Sequence, residues 1–252
     1  MNFILTRMEW DRVRVKCDLN AKTVGLVPTM GALHGGHQSL INRSLEENDI
    51  TVVSIFVNPT QFNDKNDLKN YPRDHEKDFD MLKDMGVDYL FYPSYSELYP
   101  DDYKYKVVEY PFSKKLCGAS RPEHFDGVLT VVMKLINIIN PQRSYFGEKD
   151  YQQYKLVQNM CDAFFMNTEI ILCPTVRDED GLALSSRNVL LTSSERETAA
   201  YFPLLLKSNM SPDEIKIELK KKGFRVDYIE DLDGRRYGAV YIGKVRLIDN
   251  VQ

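Results

Sequence analysis

The chain has 252 residues, 43% hydrophobic and 28% charged, enough for one large domain or a main domain with a small companion around a sizeable core. Its formal net charge of -4 excludes a general attraction to nucleic acid or anionic membrane, so an anionic substrate must be held by a few local cations. The most apolar stretch, Val128 to Ile139, is too short to span a bilayer and contains Lys134 and Asn137, and Met1 to Arg12 carry charge too early for a secretory leader; a soluble cytoplasmic protein is expected.

In chain order, apolar β-rich runs at Val24–Thr29, Thr51–Val57, Tyr89–Tyr92, Ser144–Phe146 and Glu169–Cys173 predict strands. Amphipathic patterns near His37–Glu47, Asp74–Met85, Gly127–Ile139 and Tyr151–Phe164 predict the helices between them. In the last, Tyr154, Val157, Cys161 and Phe164 recur at helical spacing and mark one buried face. This alternation predicts an α/β fold, a Rossmann-like, doubly wound parallel sheet, with ligands bound beyond the carboxyl ends of the strands. Beyond residue 176 the pattern changes. Thr192 to Glu195 and Ser211 to Glu214 read as capping boxes opening short helices, and Asp227–Ile229, Ala239–Ile242 and Lys244–Ile248 read as strands, the first two joined by an Asp233-Gly234 turn. The expected division is residues 1–176 as the Rossmann-like domain and 177–252 as a smaller C-terminal α+β domain. None of Cys17, Cys117, Cys161 and Cys173 forms a CxxC pair, and Cys161 and Cys173 read as small core residues.

Four segments carry chemistry, each placed where a strand gives way to a turn. In VPTMGALHGGHQSLI (residues 27–41) a strand runs into a glycine-rich turn with His34 and His37 ahead of a helix. That context suits phosphate, which the backbone can approach closely and the helix N-terminus can stabilise; a metal pair or two unrelated turn histidines are the alternatives. In SIFVNPTQF (54–62), Asn58 and Gln61 set polar amides in an apolar setting, as a hydroxy acid requires, although an Asn-Pro turn explains Asn58 equally well. In YFGEKDYQQ (145–153), Gly147 permits a tight turn, Lys149 can meet a phosphate, Asp150 can take ribose hydroxyls or merely cap the helix, Glu148 and Lys149 can be a solvated pair, and Gln153 points to the crevice of Gln61. In DGLALSSRN (180–188), Ser185, Ser186 and Arg187 suit a mobile clamp on a triphosphate. Arg121 and His124 in RPEHF form a further anion contact or simply begin a helix.

VPTMGALHGGH, FVNPTQF, RPEHFDGV, YFGEKDYQQ and GLALSSRN, in this order, with VRLIDN near the C-terminus, resemble the pantothenate synthetase (pantoate–β-alanine ligase) family of HIGH-type nucleotidyltransferases. The resemblance implies that ATP, with Mg²⁺, adenylates pantoate, that β-alanine then takes the pantoyl group, and that the enzyme is a homodimer. Carried over, the catalytic residues are His37 as proton donor, His34 and Lys149. ATP would be lined by Met30, Gly31, Ala32, Leu33, His34, Gly35, Gly36, His37, Gly147, Glu148, Lys149, Asp150, Val176, Leu184, Ser185, Ser186 and Arg187. Pantoate and β-alanine would meet Gln61 and Gln153, with Asn58, Arg121 and Tyr71 as further contacts. The acids from Asp74 to Asp78 only partly follow the family's metal-contacting segment and assign no metal ligand, and the segment from Leu206 to Ser211 is shorter than usual.

Overall fold

The runs at 24–29 and 50–55 are buried along almost their whole length and that at 143–147 through its centre, as in strands covered on both faces. The computed structural model describes residues 1–252 apart from the side chain of Asn20. Its first part runs β1 (Asn2–Ile4), α1 (Arg7–Lys16), β2 (Val24–Thr29), α2 (Gly35–Glu47), β3 (Ile50–Ile55), α3 (Lys65–Asn70), α4 (His75–Asp84) and β4 (Tyr89–Phe91). It continues with α5 (Tyr95–Leu98), α6 (Cys117–Ser120), α7 (His124–Ile139), β5 (Arg143–Gly147), α8 (Tyr151–Ala163) and β6 (Glu169–Cys173). The six strands form one parallel sheet in the order β1-β4-β3-β2-β5-β6.

Successive residues of a strand point to opposite faces, and here both faces find a core. Leu26, Val52, Phe146 and Ile170 pack with Trp10 of α1, Leu135 of α7 and Leu156 of α8. Their neighbours Val27, Val53, Tyr145 and Ile171 pack with Ile41 of α2 and Leu82 of α4. The sheet is therefore doubly wound, as expected. The chain moves outward from β2 to β3 on one side and resumes at β5 on the other, so the strand order reverses between β2 and β5. At such a switch point the turns leaving the carboxyl ends diverge and open a crevice.

The short helices α3, α5 and α6 were not anticipated, nor were β1 and α1 at the start of the chain. The three residues of β1 pair with β4 at the sheet edge, too short a run to show a period. Helix α1 buries only Trp10, whose Nε1 donates to the Ile139 carbonyl at 3.2 Å; one large side chain replaces the usual apolar stripe. Helix α2 starts at Gly35 rather than His37, because His34 caps it.

The C-terminal part holds α9 (Ser193–Ala199), α10 (Tyr201–Leu206) and α11 (Pro212–Lys221), followed by β7 (Arg225–Leu232), β8 (Arg235–Ile242) and β9 (Val245–Val251) in an antiparallel sheet. Both capping boxes form, Thr192 with Glu195 and Ser211 with Glu214. Asp233 and Gly234 both have positive φ, 51° and 75°, as a two-residue hairpin that follows strand twist requires. A separate core built on Phe202, Ile215, Leu219, Ile229 and Val240 holds the helices to this sheet. Cys161 and Cys173 are buried free thiols. Among the described residues no helix is long and apolar enough to cross a membrane.

Candidate active site

The turn after β2 is fixed before any ligand arrives. Gly31 and Ala32 have φ of 79° and 50°. Thr29 Oγ1 accepts from the Gly31 amide at 3.2 Å, and the Asp78 carboxylate accepts from the amides of Ala32 and Leu33 at 2.8 and 2.7 Å. A Cβ at residue 31 would lie 2.9 Å from Asp78 Oδ2, so both the backbone conformation and the close approach require glycine there. Asp78 is buried on α4 with Leu82, four residues on. A carboxylate in the apolar stripe of a helix is the sequence signal that would have found this residue, which belongs to the acidic run left unassigned above.

The two histidines then orient each other. The Gly36 amide donates to His34 Nδ1 at 3.1 Å, and the His34 amide donates to His37 Nδ1 at 3.3 Å. With both Nδ1 atoms accepting, the neutral tautomer of each ring carries its proton on Nε2. The ring centres stand 4.1 Å apart. Burial, then the Lys149 ammonium, lowers the His34 pKa to about 4; burial, then His34 and Lys149, lowers that of His37 to about 3. At neutral pH both rings are uncharged N–H donors. The Gly36 amide, one of the first-turn groups expected to face a phosphate, is engaged by the His34 ring.

Beyond β3, Asn58 is buried and fully used. Its Nδ2 donates to Gln61 Oε1 at 3.0 Å and to the Gly127 carbonyl at 3.2 Å, while its Oδ1 accepts from the hydroxyls of Thr60 and Tyr99, both at 2.9 Å. Asn58 therefore orients the Gln61 amide, and Gln61 Nε2 lies 3.2 Å from Met30 Sδ. Gly127 lets α7 approach this turn, since a Cβ there would lie 2.5 Å from the Thr60 carbonyl oxygen. His124 is also buried. Its Nδ1 donates to the Gln61 carbonyl at 2.8 Å, and its Nε2 accepts from Arg121 at 3.1 Å. Burial and the Arg121 charge lower its pKa to about 3, which favours this neutral tautomer.

The turn after β5 carries Lys149 and Asp150, whose charged atoms are 3.8 Å apart. Asp150 makes no side-chain cap to α8, so the capping explanation fails. Glu148 pairs with Arg235 of the C-terminal sheet at 2.9 Å. The clamp segment reaches the β2 turn through Ser186 Oγ, which donates to the Ala32 carbonyl at 3.0 Å. Arg187 pairs with Asp67 of α3 at 3.0 Å and lies over the Tyr71 ring, 5.3 Å from its centre.

These turns enclose one cavity of about 230 Å³ at the carboxyl ends of β2, β3, β5 and β6. It is lined by Met30, His34, Gly36, His37, Asn58, Gln61, Tyr71, Gly147, Lys149, Asp150, Gln153, Val176 and Leu184 to Arg187. Gln61 and Gln153 enter from opposite sides of β2. The expected residues outside its lining are Gly31, Ala32, Leu33, Gly35, Glu148 and Arg121. The first three shape the β2 turn, Glu148 faces Arg235, and Arg121 lines a small adjoining cavity that shares Lys149, Asp150 and Gln153. The apolar wall from α7, including Val128, Val131 and Leu135, was read only as helix. Among the described residues no cluster of three metal-ligating side chains occurs, and Asp150 is the one carboxylate in the lining. A lining with one carboxylate fits a magnesium ion only where nucleotide phosphates supply most of its oxygen ligands.

Comparison with known proteins agrees with this geometry. The family model described as pantoate-beta-alanine ligase matches residues 4–252. A pantothenate synthetase of Bdellovibrio bacteriovorus is 53% identical over 91% of this chain and 92% of its own length. One from Coxiella burnetii is 52% identical over 96% and 93%. The crystal structure of pantoate-beta-alanine ligase from Francisella tularensis, complexed with beta-gamma ATP and beta-alanine, superposes with a TM-score of 0.95 at 43% identity, covering 100% of this chain and 97% of that one. The pantothenate synthetase from Thermus thermophilus gives 0.90 at 39% identity, covering 100% and 99%. With a doubly wound sheet, a switch-point cavity and this near-complete similarity, the chain belongs to the pantoate–β-alanine ligase family.

Proposed function

We propose that the cavity condenses pantoate with β-alanine at the expense of ATP, through a pantoyl adenylate, forming pantothenate for coenzyme A biosynthesis. A pantoate carboxylate oxygen attacks the α-phosphorus and pyrophosphate leaves. The β-alanine amine then attacks the acyl carbon, AMP leaves with the acyl-oxygen bond broken, and the amine gives up a proton. The observation that carries this reading is the convergence of the His34 and His37 rings, Lys149 and the Gln61 amide on one cavity.

Two anions must meet in the first step, and their repulsion is the main obstacle. The Nε2–H groups of His34 and His37 and the Lys149 ammonium are fixed donors for the charge that builds on phosphate, with Arg187 a further cation once it exchanges Asp67 for the nucleotide. The proton-donor role that the resemblance implies for His37 is met by its neutral ring as a hydrogen-bond donor through Nε2–H. Gln61, oriented by Asn58, and Gln153 hold pantoate from two sides; Tyr71 and the nearby Arg121 flank the Gln61 turn. Gly147, Asp150, Val176 and Leu184 complete the nucleoside contacts. Magnesium supplies neutralisation of the phosphates. Residues 1–176 form the binding domain, and 177–252 act as a cover that keeps water from the labile anhydride. The resemblance adds a homodimer, and the composition a cytoplasmic location.

The test is pyrophosphate release with ATP, Mg²⁺ and pantoate, with and without β-alanine. Sustained release requiring both acids, with AMP and pantothenate formed in step, is expected. No release from protein that still binds ATP would move the reading to another nucleotidyltransferase of this fold.

A further inference from the structure

The Asp249-Asn250 pair lies on the last strand, about 100 residues beyond the Lys149 turn, yet it grips the backbone around the cavity. Asp249 takes the Arg177 guanidinium through two bonds of 2.6 and 2.9 Å, one residue past Val176. Asn250 Nδ2 donates to the carbonyl oxygens of Glu148 and Lys149 at 2.8 and 3.0 Å. Asn250 Oδ1 accepts from Arg235 Nη1, while Arg235 Nη2 donates to the Glu148 carboxylate at 2.9 Å. The Arg235 guanidinium lies 4.0 Å from the centre of the Tyr151 ring, on the first residue of α8. Arg235 and Asn250 are only 8% and 5% exposed. A buried guanidinium engaged through both Nη atoms and a buried amide engaged through both Oδ1 and Nδ2 make a rigid bracket.

The bracket matters because of what it holds. A lysine ammonium rides on a flexible four-carbon stem, so its reach is set by where its backbone is fixed. Residues 148–150 form a single turn of 3-10 helix between strand and helix. We infer that Asn250, braced by Arg235, is a positioning residue that fixes the turn after β5 and thereby delivers the Lys149 ammonium to the phosphate side of the cavity. This rests on the reading of Lys149 as an ATP contact.

The test is a kinetic double-mutant cycle on the full chain. Asn250→Asp keeps the side-chain size and an acceptor for Arg235 but removes both N–H donors. It should raise the KM for ATP roughly 10- to 100-fold, as loss of a held geometry does, and leave the KM for β-alanine within about twofold. In the Lys149→Ala protein the same change should alter the ATP KM by less than about twofold, because its effect passes through the ammonium. An Asn250→Asp effect as large without Lys149 as with it, or no effect on the ATP KM in the parent, would overturn the positioning role. If Lys149→Ala by itself leaves ATP kinetics untouched, the ATP-contact reading of Lys149 is what has failed. Should Asn250→Asp melt below the assay temperature, Glu148→Gln, which removes only the charge partner of Arg235, enters the same cycle with the same two outcomes.

Discussion

The turns after β2 and β5 meet at one cavity but are secured from different sources. Thr29 and Asp78, both of the first part of the chain, hold the β2 turn through three backbone amides. The β5 turn is held from outside by Asn250 and Arg235 of the C-terminal sheet. The imidazole donors are thus in place whatever the C-terminal sheet does, whereas the lysine depends on how that sheet docks. Neutral groups sit where the first part of the chain braces most of its own turn, with only the Ser186 hydroxyl added from beyond, and charged ones where two bodies of structure share a boundary.

Removing a donor from the β2 turn should have the largest effect. His37→Ala is expected to lower kcat by roughly 10²- to 10³-fold, the usual loss of a transition-state donor, with its thermal midpoint little changed. A folded variant within about threefold of the parent would take His37 out of the chemistry. Next comes the brace itself. Asp78→Ala strands the Ala32 and Leu33 amides and should cost about 2–4 kcal/mol, since bonds to a buried carboxylate are individually strong. Calorimetric melting should show a drop of several degrees, whereas an unchanged midpoint would mean that the turn is held without Asp78.

Gln61→Ala addresses the division between pantoate and nucleotide. Its KM for pantoate should rise on the order of tenfold, as expected for one lost polar contact of about 1.4 kcal/mol, with that for ATP nearly constant; equal losses for both would place Gln61 elsewhere. The most gradual effect, spread over pH rather than concentrated in one contact, is in acid. His34, His37 and His124 titrate at about 4, 3 and 3 in the fold against 6.5 unfolded. Below pH 6.5 the unfolded chain therefore binds more protons, so stability is complete above that pH and falls as it drops toward 4. Each ring contributes up to roughly 1.4 kcal/mol per pH unit in that window. His124→Asn should flatten the midpoint-against-pH curve between pH 6.5 and 4.5, and parallel curves would remove His124 as a contributor.

The parallel sheet was legible because its buried strands are nearly continuous apolar runs, each followed by a turn with glycine or polar residues. The capping boxes at Thr192 and Ser211 were legible because capping is local. Less legible were the partners reached only through folding. Asp78 lies forty-odd residues from the turn it braces, and its neighbours in the acidic run are exposed. Asn58 read equally well as an Asn-Pro turn until Tyr99, Gln61 and Gly127 closed around it.

The sequence by itself determined which polar residues to look for at the cavity, His34, His37, Gln61, Lys149, Gln153 and Arg187, because their types and their places after strands are written locally. Only the tertiary structure decided the state in which they act. Burial beside Lys149 makes the histidines neutral, a backbone amide on each Nδ1 selects the tautomer, and the C-terminal sheet sets the lysine's turn. Desolvation, tautomer choice and docking depend on which distant groups come within a few ångströms, and sequence spacing does not carry that information.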